Sequence, residues 1–302
     1  MRNMDLESLA IFKAVVDFGG VSKAAAHLNR VQSNITTRVK NLEERLGVQL
    51  FQRQGGKMLL SNEGKLLLAY AERLLRLSDE AESALRSGTP RGALRVGTME
   101  STAAARLPPL LSRYHRNFPE VQIELQTGTS GALLGKVRNF EIEAAFVAEP
   151  FLSTELETQP AFLEELVLIG PRNTFPISAP KDVQNRTLIV FSAGCTYRRI
   201  LEEWLGAGAT MPERVLELGS YHAIVACVAA GSGIAIMPRS VLDVVKAHDE
   251  VAVFPLPAKV ARTRTCLVWR RGHSSVALDA LRGELAAPEG EGAASAPVEA
   301  AA

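Results

Sequence analysis

The sequence predicts a mixed α/β chain carrying a small all-α winged head. Three observations carry that expectation. Apolar residues in 1–60 are spaced for short helices, followed by a glycine-centred hairpin. A heptad repeat runs through 62–87. Beyond residue 92, nine strand-like runs alternate with helical ones. The chain has 302 residues, more than one average core accommodates.

The first helix is read from DLESLAIFKAVVDFGG, where Leu6, Leu9, Phe12 and Val16 fall three or four apart and Gly19-Gly20 ends the run. Ser22 is placed to cap a short second helix, SKAAAHLN. Asn29-Arg30-Val31 makes a tight break, and a third helix spans about 33–46 until Gly47 stops it. In that helix Ile35, Val39, Leu42 and Leu46 form one apolar stripe, while Ser33, Thr36, Thr37 and Lys40 point mostly away from it. Ala24, Ala25 and Ala26 let the second helix approach the third closely. Two helices joined by a short turn with small residues at the contact make a helix-turn-helix. Its outward Gln, Ser, Thr and Lys side chains suit base edges and phosphates in a major groove, although a plain solvated face has the same composition. VQLFQRQGGKMLLSNEG then reads as a wing, with Arg53 and Lys57 beside Gly55-Gly56.

Ser61 is positioned to cap a long helix. In it Leu67, Leu74 and Ala81 repeat every seven residues, as do Tyr70, Leu77 and Ala84. The interleaved sets form a coiled-coil seam on a helix about 36 Å long at ~1.5 Å per residue. Such a seam predicts dimerisation through this linker, the alternative being packing on the chain's own body. Ser87-Gly88-Thr89-Pro90-Arg91-Gly92 is a hinge.

The strand-like runs of the body are LRVGT, VQIELQTG, AAFVA, LVLIG, TLIVF, VLELGS, GIAIMP, VAVFPL and TCLVW. GTMEST, TGTSG and FSAGCTYR each put Gly, Ser or Thr just before a helix, where free backbone N–H groups favour an anion. The tail, 289–302, has no core pattern and is expected to be disordered.

Composition narrows the partners. Residues 1–60 hold nine Lys/Arg against five Asp/Glu, a net +4, while 61–302 carry −3. A basic head on a mildly acidic body hints at a polyanion. No apolar run approaches the ~20 residues of a membrane span. MRNMDLESLA carries acids where a secretory signal has an apolar core, so a cytoplasmic protein without membrane association is expected. Cys195, Cys227 and Cys266 show no metal-ligand spacing and no disulfide framework. The Gly231-Ser232-Gly233 turn lacks the following glycine of a dinucleotide fingerprint. No metal and no cofactor are expected.

Head, heptad linker and α/β body in this order resemble a LysR-type transcriptional regulator over about residues 5–288. The strongest signature is AAAHLNRVQSNITTRVKNLEERLGVQLFQRQGGKMLLSNEG. The resemblance implies a winged helix-turn-helix in 1–61, a linker and dimerisation helix in 62–87, and a hinge at 88–91. It further implies an effector domain shaped like a type 2 periplasmic binding protein, with subdomain 1 at 92–164 plus 265–288 and subdomain 2 at 165–264. Double-stranded operator DNA, a small effector between the subdomains and a homo-oligomer, dimeric through the linker and tetrameric overall, follow as expectations. Base-contact positions carry over to Gln32, Ser33, Thr36 and Thr37, with Arg53 in the wing. Lys40 shares that face. Many family members have Arg where this chain has Thr37, and Arg38, nearer the buried edge, compensates only in part. Pocket positions carry over to Ser101, Thr102, Thr129 and Ser130, to 195–198 with Cys195, Thr196 and Arg198, and to Tyr221 and His222. Arg198, with its planar fork, predicts a carboxylate-bearing metabolite.

Other readings of the same residues stay open at this level. Ser101, Thr102, Ser130 and Thr196 are equally suited to capping helices, and Arg198 to pairing with Glu202 four residues on. Cys195 with His222 as base would make a cysteine-dependent enzyme, though no local signature supports it. A solute-binding protein shares the body fold but has no use for residues 1–60.

Overall fold

A computed structural model describes residues 4–54, 57–85, 89–152, 154–183 and 186–287. The chain divides into two units, Met1–Gly88 and Thr89–Ala302. The expected tail at 289–302, Gly55-Gly56 of the wing and residues 86–88 at the hinge lie outside the described residues.

In the first unit, α1 (Leu6–Asp17), α2 (Val21–His27) and α3 (Gln32–Leu46) precede antiparallel β1 (Phe51–Gln54) and β2 (Lys57–Leu60), and α4 (Asn62–Leu85) follows. Helix α1 buries two faces rather than one. Ile11, Ala14 and Val15 pack with Ala24, Ala25, Ile35 and Val39. Leu9 and Phe12 pack with Leu42, Leu50, Leu67 and Ala71. Helix α1 is therefore the shared wall of two small cores, and its predicted stripe is corrected at one end: Leu6 lies outside both, 43% exposed. Ala24 and Ala25 are buried as the close helix contact requires, whereas Ala26 faces solvent.

Three further expectations change. Helix α2 starts at Val21 with Gly20 as its N-cap and no side-chain cap bond, so Ser22 lies inside the helix. Leu46 is exposed, because α3 stops at once on left-handed Gly47 and its last turn has nothing to cover it. Leu67 does not join an outward seam: it is buried in the core of its own head. The side chain of Ala84 is outside the described residues. Ser61 does open α4, its Oγ accepting from Gly64 N at 2.8 Å while donating to the Gln49 carbonyl at 2.7 Å. The buried Glu43 carboxylate holds the turn into the wing by accepting from Leu50 N at 2.7 Å and Phe51 N at 3.2 Å.

The second unit is a nine-stranded arrangement in the order β4-β3-β5-β11-β6-β9-β7-β8, with β10 also paired to β6. Strand β3 (Gly92–Thr98) runs parallel to β4 (Val121–Thr127) and β5 (Ala144–Ala148), the usual outcome of β-helix-β connections. Helices α5 (Glu100–Ala105), α6 (Leu107–Asn117) and α7 (Ser130–Arg138) belong to this part. Strand β6 (Leu156–Pro171) is 16 residues long and serves both halves. Its first part, 156–165, pairs with β11 (Arg262–Arg270). Its second part pairs with β9 (Ile234–Pro238) and β10 (Val251–Pro255). Strands β7 (Thr187–Val190) and β8 (Arg214–Glu217) complete that half. Helices α8 (Thr196–Ala207), α9 (Tyr221–Ala229), α10 (Arg239–Val245), α11 (Ala258–Ala261) and α12 (Val276–Ala286) cover the sheets. The sequence signalled only the apolar second part of β6. The first part, LETQPAFLEE, alternates in burial with one slip at Ala161-Phe162, where the pairing with β11 shifts register, and its polar residues and proline give no apolar run to read.

Gly64 tests the packing of the head. A Cβ there would lie 2.2 Å from the Leu50 carbonyl oxygen and 2.8 Å from Leu60 Cδ2. Gly to Ala inside a helix ordinarily stabilises by about 0.5–1 kcal/mol. Here backbone must shift, so Gly64→Ala is expected to destabilise the head by ~1–3 kcal/mol. Chemical denaturation of the parent and variant measures the sign.

Candidate functional site

The polar turns at the starts of α5, α7, α8 and α9 meet around a cavity of about 250 Å³ in the second unit. Of the residues predicted for ligand contact, Ser101, Thr129, Ser130, Cys195, Thr196 and Tyr221 line it. They come from both halves of the sheet, brought together because every one of these turns follows a strand end. Ser130 Oγ approaches Met99 Sδ at 3.2 Å and accepts from Ala148 N at 3.3 Å. Thr129 caps α7 by accepting from Ala132 N. Thr196 Oγ1 faces the Ala148 carbonyl at 3.4 Å. Capping and cavity lining thus coexist in Thr129.

Helix α8 opens without a side-chain cap bond. Only the Cys195 sulfur, a weak acceptor, approaches the Tyr197 and Arg198 N–H groups, and burial still pushes that thiol above its ordinary pKa. Helix α9 likewise lacks a side-chain cap bond at Ser220. These first turns leave backbone donors and the positive ends of two helix dipoles at the cavity.

Three predicted residues lie elsewhere. Thr102 is fully buried in α5 and does not reach the cavity wall. His222 is exposed on α9 and is not among the lining residues. Arg198 lines an adjoining depression with Arg138 and Arg199, which shares Ser130, Cys195 and Thr196 with the cavity. Its Nε donates to Glu202 at 2.7 Å, and Nη1 donates to Glu217 at 2.9 Å and to the Phe191 carbonyl at 3.1 Å. Nε and Nη1 thereby tie α8 to the ends of β7 and β8, and the part of the Arg198 fork expected to clamp a carboxylate is engaged by the protein at those two nitrogens.

Two lining residues had no strong signal in the sequence. Phe191 stacks obliquely on Tyr221 with ring centroids 4.6 Å apart. Glu100 is the one charged side chain among the described lining residues. It lies within GTMEST, a turn singled out in the sequence for its Gly, Ser and Thr, and an acid in the first turn of a helix is ordinary dipole pairing. Burial raises its pKa, partly offset by the Tyr221 N–H and by nearby His222. Its Oε1 takes only a long contact from Tyr221 N at 3.5 Å, and its buried Oε2 has no partner. Ser101 Oγ and the Tyr197 hydroxyl are also buried without a hydrogen bond. Burial raises both the Tyr197 and Tyr221 phenols, and Ser101 sits close enough to temper this without reaching hydrogen-bond geometry with either.

Among the contacts between the two halves is a glycine pair: Gly131 N donates to the Gly194 carbonyl at 3.1 Å. Gly194 adopts φ +90, and a Cβ there would stand 2.9 Å from Thr129 Oγ1.

On the head, Gln32, Ser33, Thr37 and Lys40 are exposed on one side of α3. Thr36 is half-buried, its hydroxyl donating to the Gln32 carbonyl at 3.0 Å. Arg38 pairs with Glu7 at 3.1 Å, which draws it toward α1 and away from that face. Arg53 is on β1, but its side chain lies outside the described residues.

A basic head with an exposed recognition-type helix, joined to a two-part sheet domain around a cavity lined by polar turns, defines a ligand-responsive DNA-binding protein. A family profile described as the bacterial regulatory helix-turn-helix protein of the lysR family matches residues 6–65. A LysR substrate binding domain profile matches 87–287. YusT, an HTH-type transcriptional regulator of Bacillus subtilis (strain 168), is 39% identical over 270 residues, covering 89% of this chain and 90% of its own length. The HTH-type transcriptional regulator SoxR of Arthrobacter sp. (strain TE1826) is 35% identical over 268 residues, covering 88% of this chain and 91% of its own. A full-length OxyR variant from Pseudomonas aeruginosa shares the fold with a TM-score of 0.71 at 22% identity, over 94% of this chain and 95% of that one. CbnR complexed with its target DNA does so at 0.67 and 22%, over 93% and 99%. The chain belongs to the LysR family of transcriptional regulators: a DNA-binding protein with an effector-binding domain, and not an enzyme. Among the described residues no helix is long and apolar enough to cross a membrane, and no group of His, Cys, Asp and Glu could hold a metal.

Gly194→Ala forces a side chain into a left-handed backbone against Thr129. We expect a loss of ~1–3 kcal/mol in the second unit. Gly206→Ala in α8, where a Cβ meets nothing within 4 Å, is expected to stabilise instead by about 0.4–1 kcal/mol. Unfolding curves of the two variants with opposite signs check this.

Proposed function

We propose that this regulator responds to a small carboxylate-bearing metabolite held in the 250 Å³ cavity between subdomain 1 (92–164 plus 265–288) and subdomain 2 (165–264). The observation that carries the reading is the uncapped opening turn of α8 at the cavity, beside the buried, unpartnered hydroxyls of Ser101 and Tyr197. Free N–H donors at a helix start favour an anion, and orphaned hydroxyls cost about 1–3 kcal/mol each until a ligand satisfies them. The volume falls below the ~300 Å³ at which drug-sized pockets begin, which limits the effector to a small metabolite. Ser130, Thr129 and Thr196 supply further polar contacts, and Arg198 none.

The DNA is read by α3, with Gln32, Ser33, Thr36, Thr37 and Lys40 toward the major groove and Arg53 in the wing. Two copies join through α4, on which Leu66, Tyr70, Leu74 and Leu77 are exposed apolar side chains spaced three or four apart. Two such dimers form the tetramer, in the cytoplasm. Effector binding favours one closure of the two subdomains, and only a ligand with different affinity for the two states shifts them.

On an operator selected from random sequence, Ser33→Ala and Thr37→Ala are each expected to weaken specific binding by ~1–3 kcal/mol, the scale of a base contact. Lys40→Ala should weaken binding evenly across sequences and lower the salt slope by about one. Gel-shift titrations at several salt concentrations measure both, and parent-like binding by all three variants overturns the α3 assignment. For the effector, calorimetry of the full-length protein against organic acids, amines and neutral metabolites should find a carboxylate as the tight binder. Arg198→Ala should leave that affinity unchanged, and a loss there would return the site to the adjoining depression.

A further inference from the structure

Glu100 is at odds with a purely anionic ligand. Its carboxylate lines the same small cavity as the α8 opening turn. It has no cationic partner at bonding distance: the contacts made by Oε1 reduce to a 3.5 Å approach from the Tyr221 N–H, and the buried Oε2 has none. A carboxylate so placed is costly unless something charged or donating meets it. Close by, Ser101 Oγ and the Tyr197 hydroxyl, on residues 4% and 3% exposed, are also unpartnered. The cavity therefore offers one negative pole at Glu100, one positive pole at the α8 backbone and two neutral hydroxyls.

A simple carboxylate would satisfy the α8 pole and leave Glu100 unmet and repelled. A simple amine would do the reverse. We infer that the effector is a zwitterion of the α-amino-acid class, its ammonium received by Glu100 and its carboxylate by the first turn of α8. This rests on the carboxylate reading above and adds a second pole to it. Glu100 then selects the amino group, because the desamino analogue leaves a buried carboxylate without its partner. Discrimination of this kind exceeds what apolar contacts supply.

The test is titration calorimetry of the full-length protein with matched triples: each standard L-amino acid, the carboxylic acid lacking its amino group, and the amine lacking its carboxylate. For leucine these are leucine, 4-methylpentanoate and 3-methylbutylamine. We expect at least one amino acid to bind, with its desamino acid and its amine weaker by about tenfold or more, as loss of a charge-assisted hydrogen bond implies. Glu100→Gln should weaken the amino acid by a similar factor while the desamino acid binds at least as tightly as to the parent, and Glu100→Asp should retain part of the preference. If desamino acids bind as tightly as amino acids, or Glu100→Gln binds amino acids like the parent, the zwitterion inference is overturned while the carboxylate reading stands. If amines alone bind, both fall. If no member of any triple binds, the zwitterion is overturned, and the organic-acid panel still decides the carboxylate. Should Glu100→Gln fail to fold, the comparison of amino acid with desamino acid on the parent protein remains decisive.

Discussion

The second unit is organised by the Glu164 carboxylate, buried to 3% exposure where β6 passes from one half of the sheet to the other. It accepts two hydrogen bonds from Arg106, at 2.7 and 3.0 Å, and one from Ser240 Oγ at 2.7 Å. Arg106 joins α5 to α6 in one half, and Ser240 sits on α10 in the other. One carboxylate thus fastens both halves to the strand they share. Removing one partner of such a buried group costs several kcal/mol, on the order of 3–5, though Arg106 is a third exposed and solvent screening lowers its share. Next along the strand, Glu165 binds Arg239 through both oxygens at 2.8 and 3.2 Å on the surface. Elsewhere the halves meet where Gly131 N donates to the Gly194 carbonyl at 3.1 Å and Arg199 Nη2 donates to the Pro150 carbonyl at 2.7 Å.

The cavity is poor in formal charge, with Glu100 the one charged side chain among its described lining residues. Its arginine neighbour, Arg198, is occupied by Glu202 and Glu217, while Glu100 stands inside with an unsatisfied oxygen. Recognition in such a site depends on matching fixed donors and acceptors, since unmatched polar groups in a small enclosed volume are expensive.

The head follows a different economy. Two small cores share α1, and a single buried carboxylate, Glu43, holds the backbone where α3 gives way to the wing. Because the interior atoms of α3 are committed to these cores, its outer face is left to Gln32, Ser33, Thr37 and Lys40. Thr36 is less available than its spacing suggests, since its hydroxyl already donates within the helix.

Local pattern determined much of this. The positions of α1, α3 and α4, the stop at Gly47, the cap at Ser61 and most strands of the body follow from apolar period, glycine and hydroxyl placement, which act within a few residues. The strand-to-helix turns that meet at the cavity were likewise legible, because Gly, Ser and Thr before a helix are local signals. Tertiary structure decided what depends on neighbours distant in sequence. Leu67 repeats in heptads but is claimed by Leu9 and Leu42, so burial against another helix overrode the period. The first part of β6 is a strand only because β11 pairs with it, about a hundred residues later in the chain. Arg198 has the chemistry to hold a carboxylate, and the one its Nη1 meets is Glu217, brought beside it by the pairing of β8 with β7. Glu100 looks like a routine first-turn acid, and becomes the charged wall of a cavity only when α9 closes over it. Side-chain type fixes what a residue can do, whereas long-range pairing fixes which partner it meets.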